Sequence, residues 1–374
     1  MLNITVPTLL LDKAKCLNNI TRMAEKARRN RIRLRPHFKT HQSAQVGEWF
    51  RAQGVEAITV SSLRMAVYFA QHGWQDIMVA MPANIREIET INALARSIKL
   101  HLIAVNIETL QALARQLQHP VNIWIKIDTG YRRTGVLPHN YQDLDQLMAF
   151  IASQGRFVFQ GFLSHDGHTY KQTDKEAIQT IHNTSVYLLQ QLRRRYNSLF
   201  PQIQLSTGDT PSCSILEDLS GVDEIRPGNF VFYDLMQQRI GSCAYQDIAV
   251  CVACPVVALH PERQELIIYG GSVHFSKEAI MLEDSSLMYG EVVELHPEGW
   301  SAPLEEMEVV SLSQEHGVVR ASDEQLRKYS VGDLIYILPV HSCLTADLMK
   351  GYLTLEGEWL EHLSGVPAQR QLLV

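Results

Sequence analysis

The stretch EAITVSSLRMAVYFAQHGWQDIMVAMP, residues 56–82, sets two short apolar runs on either side of a segment with a different period. AITV and DIMVAMP are rich in residues that pack well on a pleated, extended backbone. Between them, Leu63, Ala66, Val67 and Ala70 fall at i, i+3, i+4 and i+7, which is one face of a helix. Gly73 stands where that helix would stop, because glycine takes the left-handed backbone of a C-terminal cap without strain. Strand, helix and strand with short connections make a crossover unit, and strands joined this way run parallel.

The same rhythm extends in both directions. Strand-like runs recur at RIRLRPHF, KLHLIAV, VNIWIKID, FVFQGFLSH, QIQLSTGD and EIRPGNFVFY, with helical segments such as SAQVGEWFRAQG (ending at Gly54) and REIETINALARS between them. Eight strands alternating with helices over about 200 residues predict an α/β fold, a (β/α)8 TIM-type barrel, with an open doubly wound sheet as the alternative. Beyond residue 235 the helical period fades. DIAVCVACPVVALH, ELIIYGGSV, GEVVELH, EMEVVSLSQEHG and GDLIYILPVH read as a C-terminal antiparallel β domain. The opening TVPTLLLD is also strand-like and is expected to pair with that domain. The predicted division is therefore 12–235 for the barrel and 236–374, with 1–11, for the β domain.

The bulk numbers bound the function. With 46% hydrophobic residues in 374 the chain can bury a large core, and a net charge of -6 argues against a nucleic-acid surface. MLNITVPTLLLDK lacks the basic start and apolar run of a signal peptide, and no apolar run approaches the ~20 residues of a membrane span. Six irregularly spaced cysteines do not form a disulfide framework, so a cytoplasmic protein is expected, with no nucleic acid and no membrane as partner. Cys251 and Cys254 have C-x-x-C spacing, but residues three apart on a strand face opposite sides, which favours packing over a redox or metal pair.

In a barrel, chemistry collects at the C-terminal ends of the strands. The first strand runs into RLRPHFKTH, residues 33–41, where Arg33, Arg35, His37, Lys39 and His41 alternate and would share one face of an extended chain. Cations crowded round an amine favour its neutral form, which imine chemistry needs, and they also attract an anion. The fifth strand ends in KIDTGYRRTG, the sixth in LSHDGHTY, the seventh in STGDTPS and the eighth in EIRPGNF. STGDTPS and RPGN are small and rich in N–H donors at the place where barrels often bind phosphate. A lysine opposite two such loops suits pyridoxal phosphate, which needs an amine for its aldehyde and N–H groups for its phosphate.

These motifs, with HDGHTY, EHG and PVHSCLTADL, run in order over nearly the whole chain. The sequence resembles the fold-type III pyridoxal-phosphate enzymes of the alanine racemase superfamily, in the branch of D-threonine aldolase and D-serine dehydratase. The resemblance implies that Lys39 is the Schiff-base lysine and that Arg133 approaches the cofactor's 3′-oxygen. It implies that Gly208, Thr210, Gly228 and Asn229 surround the phosphate and that Arg226 faces the pyridine nitrogen. His165, at the end of the sixth strand, is a further catalytic and cofactor-binding candidate, standing where the close relatives are expected to have a tyrosine.

His341 and Cys343 are two apart after the strand GDLIYIL, so an extended backbone would point both the same way. Imidazole and thiolate together suit zinc, with manganese the alternative. The resemblance implies a metal pair at this place, His-x-Cys in dehydratases where aldolases have His-x-Asp. The expected activity is a lyase acting on a small D-amino acid: β-elimination from a D-3-hydroxy amino acid, giving a keto acid and ammonia. The alternatives are retro-aldol cleavage, then an amino-acid racemase, then a non-catalytic carrier of the cofactor. A homodimer is implied by the resemblance.

Overall fold

The computed structural model describes residues 3–363. The chain forms two compact units, one of Arg22–Lys39 and Gly47–Gly228 with Leu363, the other of residues up to Thr21, Thr40–Val46 and Asn229–His362.

Eight parallel strands build the first unit: Arg33–Leu34, Ala57–Val60, Asp76–Pro82, Lys99–Ala104, Val121–Lys126, Phe157–Leu163, Gln204–Thr207 and Glu224–Ile225. From the second strand to the eighth each lies beside its neighbour in sequence, and Arg33 and Leu34 pair with Glu224 and Ile225. The ring closes where His37 bridges Thr59, with Phe38 N–H donating to Thr59 O at 2.8 Å and Thr59 N–H to Pro36 O at 2.9 Å. This is the barrel that the alternation predicts, and the closure excludes the open sheet. Met78, Ile103, Trp124 and Leu163 pack inside it as a buried cluster.

The helix read from residues 63–70 spans Leu63–Gln71. Ser62 caps it by accepting from Met65 N–H, its face of Leu63, Ala66, Val67 and Phe69 is buried, and Gly73 takes φ +85° just beyond its end. A buried Val or Phe is worth ~1.5–3 kcal/mol over an exposed one, so this face, not helix propensity, holds the segment in place. Phe38 is fully buried with its ring centroid 5.0 Å from Phe50, 5.0 Å from Phe69 and 5.1 Å from Trp74. That aromatic clasp anchors the backbone immediately before Lys39.

The second unit is mostly antiparallel. Its ring runs from Val250–His260 through Glu265–Tyr269, His316–Ala321, Met307–Leu312, Gly290–Val293 and Leu334–Pro339 back to Val250–His260. Thr8–Leu11 pairs antiparallel with Val250–Ala253, and its Leu10 and Leu11 pair parallel with Leu353 and Thr354. Cys251 and Cys254 lie on the long strand, fully buried and unbonded, and burial pushes both thiols up. They are packing residues.

Candidate functional site

The run RLRPHFKTH does not continue as an extended strand. Ladder pairing stops at Leu34, His37 makes a single bridge, and residues 38–41 form a turn, so the expected single face breaks up. Arg33 is exposed beside Asp76, and Arg35 is buried in ion pairs with Asp76 and Glu224. Lys39 is exposed, and His41 is buried in the other unit. Pro36 and the clasped Phe38 ring turn the chain, which separates Lys39 from the arginines that sequence alternation places with it.

Lys39 keeps other company. Its N–H donates to His37 Nδ1 at 3.3 Å, which makes that nitrogen the acceptor and leaves the ring proton on Nε2. Burial pushes the His37 imidazole well down, and Lys39, His165, Arg226 and Arg133 push it further the same way. His165 Nδ1 lies 2.9 Å from Gly208 O; a carbonyl only accepts, so Nδ1 carries the proton and Nε2 is a bare acceptor. Burial, with Lys39, Arg133 and Arg226, pushes His165 down to about 3. Both imidazoles are therefore neutral at physiological pH. Lys126, at the end of the fifth strand, is pushed down to about 8 by burial, Arg133 and Arg226. Arg133 lies over the Tyr131 ring at 4.9 Å, and that ring meets His165 edge-on at 5.8 Å. The structure thus brings Lys39, Arg133, His165 and Arg226 into one strongly positive field.

The seventh-strand loop is shaped by close approach. A Cβ on Gly208 would lie 2.3 Å from Arg226 N, at φ +154°, so only glycine lets these two backbones touch. Asp209 caps the short helix Thr210–Ile215 by accepting from Ser212 N–H, and Thr210 N–H donates to Tyr170 Oη at 3.2 Å. Beneath it, buried Asp166 accepts from Thr129, Ser185 and Thr207 hydroxyls at 2.9, 2.6 and 3.2 Å. Burial and the charge of Asp166 push Asp209 up to about 7. Gly228 ends this unit two residues past Arg226. The donor set fits pyridoxal phosphate: an amine, close-packed amides around Gly208 and an excess of positive charge for a phosphate and a phenolate.

The side-chain amide of Asn229 donates to Asp234 at 2.6 Å, Ser342 Oγ at 3.2 Å and Cys343 Sγ at 3.5 Å, within the second unit. That side chain is tied to the His-x-Cys pair. Only His341 of that pair is on extended chain: it stands at the N-cap position of the helix Ser342–Met349, and Cys343 lies in the first turn. Buried Asp234 accepts from Ser342 N–H at 3.0 Å and lies 3.3 Å from His341 Nδ1. A proton on Nδ1 pointing at that carboxylate would orient Nε2 for a metal that displaces the Nε2 proton, the usual outer support of a metal-binding histidine. Burial works against a charged His341, but Cys343, Asp234 and Glu278 outweigh it and push it up to about 9. Cys343 Sγ also lies 3.2 Å from Thr40 Oγ1. Among the described residues no group of three or more His, Cys, Asp or Glu could hold a metal, so the protein would supply a pair and leave other positions open.

Asp76, Glu224 and Asp166 act through partners distant in the chain, which only the folded barrel brings together. Asp209 and Asp234 serve near and distant partners both.

Residues 11–235 match the alanine racemase N-terminal domain, and residues 249–355 match a putative serine dehydratase domain. The chain belongs to the alanine racemase N-terminal domain family. It is 29% identical to D-serine dehydratase of Dictyostelium discoideum, with 94% of this chain and 93% of that protein covered. It superposes on D-threo-3-hydroxyaspartate dehydratase from Delftia sp. HT23 with a TM-score of 0.88 at 28% identity, covering 97% of this chain and 99% of that one. A cysteine-to-alanine mutant of a D-threo-3-hydroxyaspartate dehydratase, solved in a metal-free form, superposes at 0.90 with 27% identity over 97% of this chain and 99% of that one. Among the described residues no helix is long and apolar enough to cross a membrane.

Proposed function

We propose that the protein is a pyridoxal-phosphate-dependent lyase that eliminates water from D-3-hydroxy amino acids, D-serine among them. Water leaves across Cα–Cβ and returns on hydrolysis, so the net products are a keto acid and ammonia. The observation that carries the reading is the positive field of Lys39, Arg133 and Arg226 around two imidazoles that stay neutral. Both family matches and the dehydratase relatives support it.

Bound pyridoxal phosphate supplies an electron sink that acidifies the Cα–H bond. Lys39 Nζ would hold its aldehyde and is the amine that would take up the Cα proton. Arg226 would hold the ring nitrogen and Arg133 the 3′-oxygen. The backbone amides around Gly208, Thr210, Gly228 and Asn229 would hold the phosphate. His165, locked with a bare Nε2, offers an acceptor that carries no competing charge. His341 Nε2 and Cys343 Sγ would hold a divalent cation, zinc by ligand chemistry with manganese the alternative, supplying Lewis acidity to a hydroxyl oxygen. The same reading carries a homodimer, for which the resemblance speaks, and a cytoplasmic location, for which the irregular cysteines speak.

The test is a panel of D-3-hydroxy amino acids offered to protein loaded with cofactor and zinc, scoring keto acid, aldehyde and stereochemistry separately. Keto acid from D-serine is the expected result. Glycine with an aldehyde from D-threonine would replace it by the aldolase reading, and interconverted enantiomers alone by the racemase reading. Bound cofactor with no turnover would indicate a carrier.

A further inference from the structure

At the eighth strand, Glu224 on the strand and Arg226 just past its end are buried residues of opposite charge that, among the described residues, make no ion pair with each other. Glu224 is 1% exposed, and its Oε2 accepts from Arg35 Nε at 2.6 Å. Its other oxygen, Oε1, accepts the Ser206 hydroxyl proton at 2.8 Å. Arg226 donates one terminal nitrogen to that same Ser206 Oγ and the other to Ser164 O. Arg35 is held at its far side by Asp76. A hydroxyl has one proton. Because Glu224 takes it, the Ser206 lone pair is left facing Arg226.

We infer that Glu224, acting through Ser206, is a positioning residue that fixes the Arg226 guanidinium toward the cofactor's ring nitrogen, and that Arg35 keeps Glu224 from collapsing onto Arg226. This rests on the proposed binding of pyridoxal phosphate at Lys39. The physical logic is one of committed charge. A buried carboxylate in direct contact with Arg226 would compete for its donors and cancel its charge. Here the carboxylate is bound to Arg35, and a neutral hydroxyl makes the contact. Arg226 therefore keeps its positive charge uncancelled while its orientation is set by the Ser206 and Ser164 oxygens. With the relay gone, the guanidinium is free to swing toward Glu224, and the ring nitrogen loses a fixed donor.

The experiment is a pH titration of the visible band of cofactor-loaded protein, with borohydride reduction and peptide mapping in parallel. Ser206→Ala removes one hydroxyl and Glu224→Gln removes the charge that orients it. In both, the cofactor should still be reducible onto Lys39, while the midpoint of the band's pH dependence moves by about one pH unit, a tenfold change in the interaction of the two protonation states. Ser206→Thr, which restores a hydroxyl, should bring the midpoint back toward that of the wild type. Asp145→Asn, which removes a carboxylate bound to Arg195 and Tyr196 outside these contacts, should leave the midpoint in place. Unmoved midpoints in Ser206→Ala would overturn the relay, as would a shift of equal size in Asp145→Asn. Absence of label on Lys39 in the wild type would instead overturn the cofactor reading itself.

Discussion

Replacing Gly208 by alanine isolates the close approach on which the phosphate loop is built. The new Cβ would sit 2.3 Å from Arg226 N and 2.9 Å from both Arg226 Cα and Arg226 C, whereas ordinary contact begins at 3.4 Å. All three obstacles are backbone, so no side chain can swing away. The eighth strand would have to retreat by about 1 Å, an overpacking of the kind that costs ~1–3 kcal/mol. Retreat stretches two hydrogen bonds, Arg226 N–H to Thr207 O at 2.9 Å and His165 Nδ1 to Gly208 O at 2.9 Å. Each is worth ~0.5–1.5 kcal/mol net. A non-glycine residue at φ +154° adds ~1 kcal/mol or more. These effects overlap, and a loss of ~3–4 kcal/mol is expected. Gly54→Ala is the control, because Gly54 has φ +79° with nothing within 4 Å, so only the backbone penalty of ~1 kcal/mol applies. Urea unfolding of both variants without cofactor measures the difference, and titration with pyridoxal phosphate should show weakened binding in Gly208→Ala alone. Equal losses in the two variants would refute the argument from close approach.

Two further predictions concern pH and metal. Asp209 is pushed up to about 7 in the folded protein from an ordinary value of 3.8, so the folded state holds a proton that the unfolded chain has released. Stability should therefore fall as pH rises from about 4 to 7, by at most ~1.4 kcal/mol per pH unit from this group. Asp209→Asn should flatten that slope in urea midpoints taken from pH 5 to 8; an unchanged slope would assign the pH dependence elsewhere. Cys343→Ala should lose bound zinc, measured by metal analysis, keep the cofactor's colour and slow keto-acid release from D-serine by orders of magnitude, since Lewis-acid assistance is worth several kcal/mol. Full turnover in a metal-free variant would remove the metal from the mechanism.

The barrel was legible because its strands are short β-branched runs and its helices carry a clear apolar period. Leu63, Ala66 and Val67 are buried on the face that spacing assigns them, and Gly54 and Gly73 do adopt left-handed backbone. The pattern could not show where extended chain gives way to a turn. Alternation at residues 33–41 places five basic groups on one face, but Pro36 and the clasped Phe38 ring end the strand before Lys39. His341 and Cys343 converge for a similar reason: the chain turns into a helix between Pro339 and Ser342, so one helical turn, not strand alternation, sets their spacing. The side-chain amide of Asn229 donates to Asp234, a buried carboxylate five residues on, a contact that no spacing rule reveals. His101 accepts from Trp124 Nε1 at 3.0 Å and places Nε2 3.0 Å from Asp76 Oδ1. That role depends on strand register, which no local pattern encodes.

The central claim is that Lys39 carries the cofactor, and covalent trapping tests it most directly. Protein loaded with pyridoxal phosphate is reduced with borohydride, digested, and its peptides mapped by mass spectrometry. The account predicts a pyridoxyl group on Lys39, with loss of the visible band, and none on Lys126, although Lys126 is the other lysine in the same positive field. A label on Lys126 or any other lysine, with Lys39 unmodified, would contradict it.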